Sequence, residues 1–287
     1  MDSKKFVLMP VEIKVRDFIS RLKLSIELCH RGFNVVIGSQ DAIRSNLPSL
    51  PKGVYFEKAI SKEKVKFFEQ LKSDGYLLVS LDEEGLCSLF NYERYITQRV
   101  CDETLLLADK VFTWGDSEAN LINERYPSYK RKIKVTGNPR IDMLCKDNRN
   151  FHQYSAGQYR EKLGPYFLFP SSFTVNHAMG NKNLDKFLIK MGRVKTQDDL
   201  KSYHDKQEFF RKTFFEYSDL VEIVAKKFTH INLVVRPHPS EDATHWLNLS
   251  KKYENVFVES KGDVSSWILV QKQLFIVLAR LAWKLFY

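Results

Sequence analysis

Short apolar runs alternate along the chain with longer segments of helical period. Phe6 to Met9 reads as a strand, a helix follows through Ile19, Leu22, Ile26 and Cys29, and Phe33 to Gly38 reads as the next strand. That is a βαβ opening. Further strands are expected at Val54 to Phe56, Tyr76 to Ser80, Lys110 to Trp114 and Ile133 to Thr136, each separated by a segment able to form a helix. After a polar stretch from Lys146 to Lys162 the rhythm restarts with Tyr166 to Phe169. It passes through a long charged helical region from about Gln197 to Phe228 and resumes at Ile231 to Val235 and Val256 to Val258. The pattern predicts an α/β protein of two Rossmann-like domains, the second incomplete. The first spans 1–145, a linker or insertion 146–165, and the partial second domain 166–269, leaving 270–287 as a tail.

A length of 287 residues with 44% hydrophobic and 13% aromatic content supports two real cores rather than disorder. The net charge of +10 calls for an anionic partner, which charge alone leaves open among nucleic acid, a sugar nucleotide, a phosphorylated acceptor and a membrane face. The basic residues are scattered along helical stretches such as Lys62 to Lys72, with no zinc-finger, recognition-helix or RNA-binding signature, so no nucleic-acid partner is expected. Cys29, Cys87, Cys101 and Cys145 lie far apart without Cys-x-x-Cys spacing, which suggests neither a metal site nor a disulfide framework. The apolar stretch after Lys5 is too brief for a signal-peptide core, and a cytoplasmic location is expected.

In an open parallel sheet, ligands bind beyond the carboxyl ends of the strands, so residues just after each strand are the candidates. Arg236 and His238 follow the Ile231 to Val235 run and suit a phosphate or sugar nucleotide; the same Arg-Pro-His-Pro letters also make a stiff turn. Pro10 to Asp17 opens the first helix directly after the first strand. There Glu12 and Arg16 can bind hydroxyls or an acidic group, or serve as caps and surface ion pairs. Asp82, Glu83 and Glu84 close the fourth strand before Gly85. One of them can act as general base on a sugar hydroxyl, or all three can be capping acids. Gly137 and Asn138 end the sixth strand at Pro139. The glycine permits close backbone approach and the asparagine can hydrogen-bond a ligand, although a plain strand-to-helix turn has the same letters.

Taken in order, several segments resemble the bacterial surface carbohydrate biosynthesis protein family. They are Pro10 to Asp17, Arg31 to Phe33, Leu81 to Leu86, Thr113 to Gly115, Thr136 to Asp142, Phe173 to His177, Arg236 to Glu241 and Gly262 to Trp267. The Thr-Gly-Asn and Arg-Pro-His-Pro pieces are also similar to the nonhydrolysing UDP-N-acetylglucosamine 2-epimerases, the capsule Kdo transferases and the CDP-glycerol glycerophosphotransferases. The resemblance implies two Rossmann-type domains in the GT-B arrangement with a nucleotide between them. It further implies transfer of a sugar from a nucleotide-sugar donor to a glycan or lipid-linked acceptor in lipopolysaccharide, O-antigen or capsule synthesis. No cofactor and no metal is called for. Arg236, His238, Ser240 and Glu241, with Gly137 and Asn138, would hold donor phosphates, while Asp82, Glu83 and Glu84 would do the acid–base work. Glu12, Lys14, Arg16, Asn176 and His177 would line the acceptor side. An epimerase acting on a UDP-sugar and a non-catalytic membrane-associated scaffold are the competing readings.

After Trp267 the family pattern continues through a strand into Cys-Thr-Thr-Gly-x-Glu-Ala, whereas this chain runs from Val270 to Tyr287 without it. Regrouping each codon's third base with the next codon's first two lets Val270 to Tyr287 encode that run. Trp283 followed by Lys284 must then yield a glutamate codon. The expectation is an out-of-frame tail and a truncated, impaired copy, which the bases around codon 270 decide. The rival expectation is a basic amphipathic helix in peripheral contact with the inner membrane, since Lys272, Arg280 and Lys284 interrupt any full span.

Overall fold

The computed structural model describes residues 5–83, 96, 99–148, 150–173, 189, 196–238 and 241–269. Glu84, Cys87, Asn176, His177, Ser240 and the tail 270–287 lie outside the described residues. The chain divides into two compact units, Met1–Phe151 and His152–Tyr287.

In the first unit, β1 (Phe6–Val11), β2 (Asn34–Ser39), β3 (Val54–Glu57), β4 (Leu77–Leu81), β5 (Lys110–Thr113) and β6 (Ile133–Val135) form one sheet. Its order is β2-β1-β3-β4-β5-β6, with every pairing parallel. The helices are α1 (Lys14–His30), α2 (Gln40–Ser45), α3 (Val65–Ser73), α4 (Asp102–Leu107), α5 (Asp116–Arg125) and α6 (Pro139–Asp142). The central strands β1 and β3 are buried on both faces, as crossover helices require, while the edge strands β2 and β6 are partly exposed. Leu8, Tyr55, Leu78 and Val111 pack with Ile43, Phe68, Leu71, Leu105 and Ile122 on one side. Val7, Met9, Phe56 and Leu81 meet Leu24 and Leu28 of α1 on the other. Gly53 is required where β3 starts beside β1, because a Cβ there would lie 2.2 Å from the Phe6 carbonyl oxygen.

The facing of α1 differs from the sequence expectation. Ile26 and Cys29 of the anticipated apolar stripe are exposed, and the helix buries Asp17, Ser20, Arg21 and Ser25 instead. The reason is electrostatic, since Asp17 meets Arg140 and its helix neighbour Arg16 while Arg21 meets Glu83, and a paired charge tolerates burial.

The polar stretch read as a linker is helical here. The second unit opens with α7 (Asn150–Leu163), followed by β7 (Tyr166–Pro170), α8 (Gln197–Lys227), β8 (Asn232–Arg236), α9 (Thr244–Lys252), β9 (Val256–Val258) and α10 (Val264–Leu269). Its strands pair in parallel in the order β7-β8-β9. Phe167, Phe169, Leu233 and Val235 face Phe214, Tyr217, Val221 and Ala225 of α8 and Trp246 of α9. Tyr166, Leu168 and Val234 face Leu163 of α7 and Trp267 of α10. Among the described residues, no helix is long and apolar enough to cross a membrane.

Candidate functional site

Strand order in the first unit reverses direction between β1 and β3, the place where an open α/β sheet has a crevice at its carboxyl edge. The local sequence opens it further. β1 pairs with β2 along its whole length, from Phe6 with Asn34 to Val11 with Ser39, but with β3 only at Val7–Val54 and Leu8–Tyr55. Pro10 has no N–H to continue that ladder, and the two strands part after Leu8. A pocket of about 250 Å³, open mouth included, lies there, lined by Pro10, Glu12, Asp17, Arg21, Gln40, Phe56, Glu57, Lys58 and Glu83.

Its walls are ionic. Lys58 meets Glu12, Glu12 meets Arg16 at 3.1 Å, and Arg16 meets Asp17 at 2.6 Å. Arg140 stands 4.0 Å from Asp17 and 3.7 Å from Glu83, whose other oxygen is 2.5 Å from Arg21. Arg21 is fully enclosed, lying over the Phe56 ring at 4.4 Å and against the Met9 sulfur at 3.6 Å. Burial disfavours ionisation of Asp17, but Arg16 and Arg140 outweigh it and hold the carboxyl below its ordinary range. Burial is likewise outweighed at Glu12 by Lys58 and Arg16, and at Arg16 by Asp17, Glu12 and Glu83, whose charges strengthen the guanidinium's hold on its proton. Glu83 Oε2 is buried and accepts no hydrogen bond among the described residues.

Asp82 turns to a different partner. Arg99 grips it with Nε at 2.7 Å and Nη2 at 2.9 Å, and the Trp114 indole N–H donates to its backbone carbonyl. The Trp114 backbone N–H donates to Glu118 Oε2 at 2.8 Å. Burial, with Asp82 nearby adding to it against the pull of that N–H and of Arg99, pushes the Glu118 carboxyl up to about 7.

The Gly-Asn-Pro turn delivers Arg140. Gly137 takes a φ of 79°, Asn138 caps α6 by accepting from the Arg140 N–H at 2.9 Å, and Pro139 occupies the first helical position. Asn138 is buried, and its Nδ2 has no acceptor among the described residues. Lys14 is exposed and takes no part in the ionic chain.

In the second unit the motif after β8 splits into inward and outward members. Arg236 is buried and donates through Nη1 to the Lys261 carbonyl at 2.7 Å and through Nη2 to that of Gly262, with its guanidinium 5.6 Å from the Trp267 ring centre. It therefore holds the loop after β9. Gly262 has a φ of 76° and the Tyr159 hydroxyl pressed against it, which leaves no room for a side chain. Glu241 ties the loops after β7 and β8 together. Its Oε1 accepts from Ser171 Oγ and Trp246 Nε1, both at 2.9 Å, and its Oε2 accepts from the Phe173 N–H at 2.9 Å and the His238 N–H at 3.4 Å. His238 presents an exposed imidazole at the carboxyl edge of this sheet.

Of the candidates read from sequence, Glu12 and Glu83 line one pocket, and Arg16 is joined to it through its ion pair with Glu12. Asp82 lies beside them but faces Arg99. Asp17, Arg21, Lys58 and Arg140 were not singled out as site residues. The available signal was an Asp and an Arg four apart on the sheet-facing side of α1, a spacing that puts both on one helix face. Among the described residues, no group of three or more His, Cys, Asp or Glu side chains is placed to hold a metal ion.

No protein-family profile matches the sequence, and no curated protein matches it. Solved structures do match in three dimensions. UDP-GlcNAc 2-epimerase from Neisseria meningitidis, bound to UDP-GlcNAc, aligns over 96% of this chain and 78% of its own at 10% identity and a TM-score of 0.52. A putative UDP-N-acetylglucosamine 2-epimerase from Listeria monocytogenes aligns over 97% and 75% at 13% identity, TM-score 0.52. The wall teichoic acid polymerase TagF, soaked with CDPG, aligns over 99% and 68% at 10% identity, TM-score 0.51. At these identities the likeness is one of fold. The chain has an α/β fold of the GT-B-like, Rossmann-type class.

Proposed function

We propose that this chain is a nucleotide-sugar enzyme of cell-surface polysaccharide biosynthesis, transferring a sugar from a nucleotide donor to a glycan or lipid-linked acceptor. The observation that carries this reading is the ionic pocket at the β1/β3 switch point, in a fold like that of proteins named for UDP-GlcNAc and wall teichoic acid chemistry. In this reading Glu83 is the base for the acceptor hydroxyl, with Glu12 and Arg16 orienting the rest of the acceptor. His238, with Ser240, receives the donor phosphates. Arg236 and Glu241 act from behind, fixing the loops that carry them. Glu84, Asn176 and His177 belong to the same assignment by resemblance. In this reading the protein works in the cytoplasm, with lipopolysaccharide, O-antigen or capsule as the product class.

Epimerisation of a UDP-sugar is the second reading, supported by the two epimerases among the fold relatives. Incubating the purified chain with UDP-GlcNAc and related donors, with and without glycan acceptor, separates the two. Transfer that requires acceptor supports the first; a new epimer formed without acceptor supports the second. A chain that binds and converts no nucleotide sugar counts against both.

A further inference from the structure

The ten residues from Arg125 to Lys134 carry five basic side chains and no acidic one, in a chain whose whole net charge is +10. The fold sets further cations beside them at the amino edge of the first sheet, where β4, β5 and β6 begin. Lys110 opens β5 and donates to the Arg131 carbonyl at 3.2 Å. Lys132 donates to the carbonyls of Leu105 and Leu106, at 3.0 and 2.7 Å, which close α4. Lys72, near the end of α3, meets Asp109 at 2.9 Å. Among the described residues, Lys110, Lys130, Arg131, Lys132 and Lys134 have no carboxylate as ion-pair partner, and Lys110, Lys130 and Arg131 are exposed. Partial burial, with Lys72 and Lys110 adding to it against the pull of Asp109, holds the Lys132 ammonium below its ordinary range. The cations at this edge therefore feel one another more than they feel an acid.

A lysine on an edge strand blunts pairing with other chains, which accounts for Lys134 on β6. It does not account for Lys110, which opens an interior strand, or for Lys130 and Arg131, which precede β6. The same edge also exposes apolar side chains: Leu106 is 63% exposed, beside the Lys132 ammonium, and Leu77, the first residue of β4, is 40% exposed. Cations and open leucines on one surface fit a bilayer with anionic headgroups, whose phosphates meet the cations while the leucines enter the boundary with the acyl chains. A nucleic acid fits less well. Tyr126 and Tyr129, the aromatic residues of the basic run, are half-buried, lie under Arg125 and Lys132, and commit their hydroxyls to the Val100 carbonyl and to Asp102, so they are not presented for base stacking. We infer that the amino edge of the first unit's sheet docks this protein onto an anionic lipid surface. The crevice between β1 and β3 lies at the opposite, carboxyl edge of that sheet, so docking leaves it uncovered and is independent of what it binds.

The test is co-sedimentation of the full chain with phosphatidylcholine vesicles prepared with and without phosphatidylglycerol. Tighter binding to the anionic vesicles, falling with added salt, is expected. Lys110→Gln with Arg131→Gln is expected to weaken it about 25-fold, or roughly fivefold for each cation withdrawn. Lys227→Gln with Lys251→Gln removes the same charge from exposed positions of the second unit and is expected to leave binding unchanged. Leu106→Gln is expected to weaken binding severalfold without altering its salt dependence. Absence of vesicle binding, equal binding to neutral and anionic vesicles, or equal effects of the two double variants overturns the inference. Duplex DNA bound as tightly as the anionic vesicles, with Leu106→Gln indifferent, overturns it in favour of a general polyanion surface.

Discussion

Arg21 of α1 and Glu83 after β4 stand 62 positions apart in the chain and meet at 2.5 Å, both almost fully buried. The pair joins the helix to the carboxyl edge of the sheet at the pocket wall. Removing one member of such a pair strands the other, which costs about 3–5 kcal/mol, whereas replacing both by apolar groups is close to neutral. Arg21→Met is therefore expected to be strongly destabilising and Arg21→Met with Glu83→Leu much less so. Urea denaturation of both single variants and the double variant closes the cycle.

Glu118 gives the first unit a pH dependence of definite sign. Its carboxyl, pushed up to about 7 by burial and by Asp82, binds a proton more tightly folded than unfolded, where the ordinary value is 4.5. The stabilisation from this group is complete below about 4.5 and is lost as the pH rises through about 7. Glu118→Gln keeps an acceptor for the Trp114 N–H and removes the titration. The unfolding free energy between those pH values should fall with rising pH in the parent, by up to about 3 kcal/mol, and fall less in the variant, as read by urea denaturation at each pH.

Glu241 is expected to matter for stability before it matters for ligand. Its carboxylate serves Ser171, Phe173, His238 and Trp246, and truncation leaves buried donors unsatisfied. Glu241→Ala should lower stability by about 2–3 kcal/mol and change the emission of the buried Trp246. Chemical denaturation followed by tryptophan fluorescence reads both.

Gly53→Ala should cost about 3 kcal/mol, because the new Cβ would press on the Phe6 carbonyl and force β3 away from β1. Thermal unfolding of the variant measures it. Gly38→Ala, whose Cβ would meet only the Ile43 side chain at 3.6 Å, is the control expected to stay near parental stability.

The strand rhythm was legible because parallel strands buried on both faces stand out as apolar runs: Tyr166 to Phe169 and Val256 to Val258 sit within a residue of where they fall in the fold. The facing of α1 was not legible. Its apolar residues point partly to solvent and its buried face carries Asp17 and Arg21, a choice made by Glu83 and Arg140, far away in the chain. Arg236 shows the same limit. Its position at a strand end is visible in the sequence, but the backbone carbonyls of residues 261 and 262 that take its guanidinium are not. Glu83 was legible as a strand-end acid, yet only the fold shows one of its oxygens bonded to Arg21 and the other 3.7 Å from Arg140.

The central claim, that this fold serves nucleotide-sugar chemistry, is tested most directly by titrating the purified chain with UDP-GlcNAc and CDP-glycerol and repeating the titration on His238→Ala. The account predicts saturable binding of at least one of them, weakened about tenfold in His238→Ala with the unfolding midpoint unchanged, since that side chain is exposed. No binding of either at millimolar concentration, or binding indifferent to His238, contradicts it.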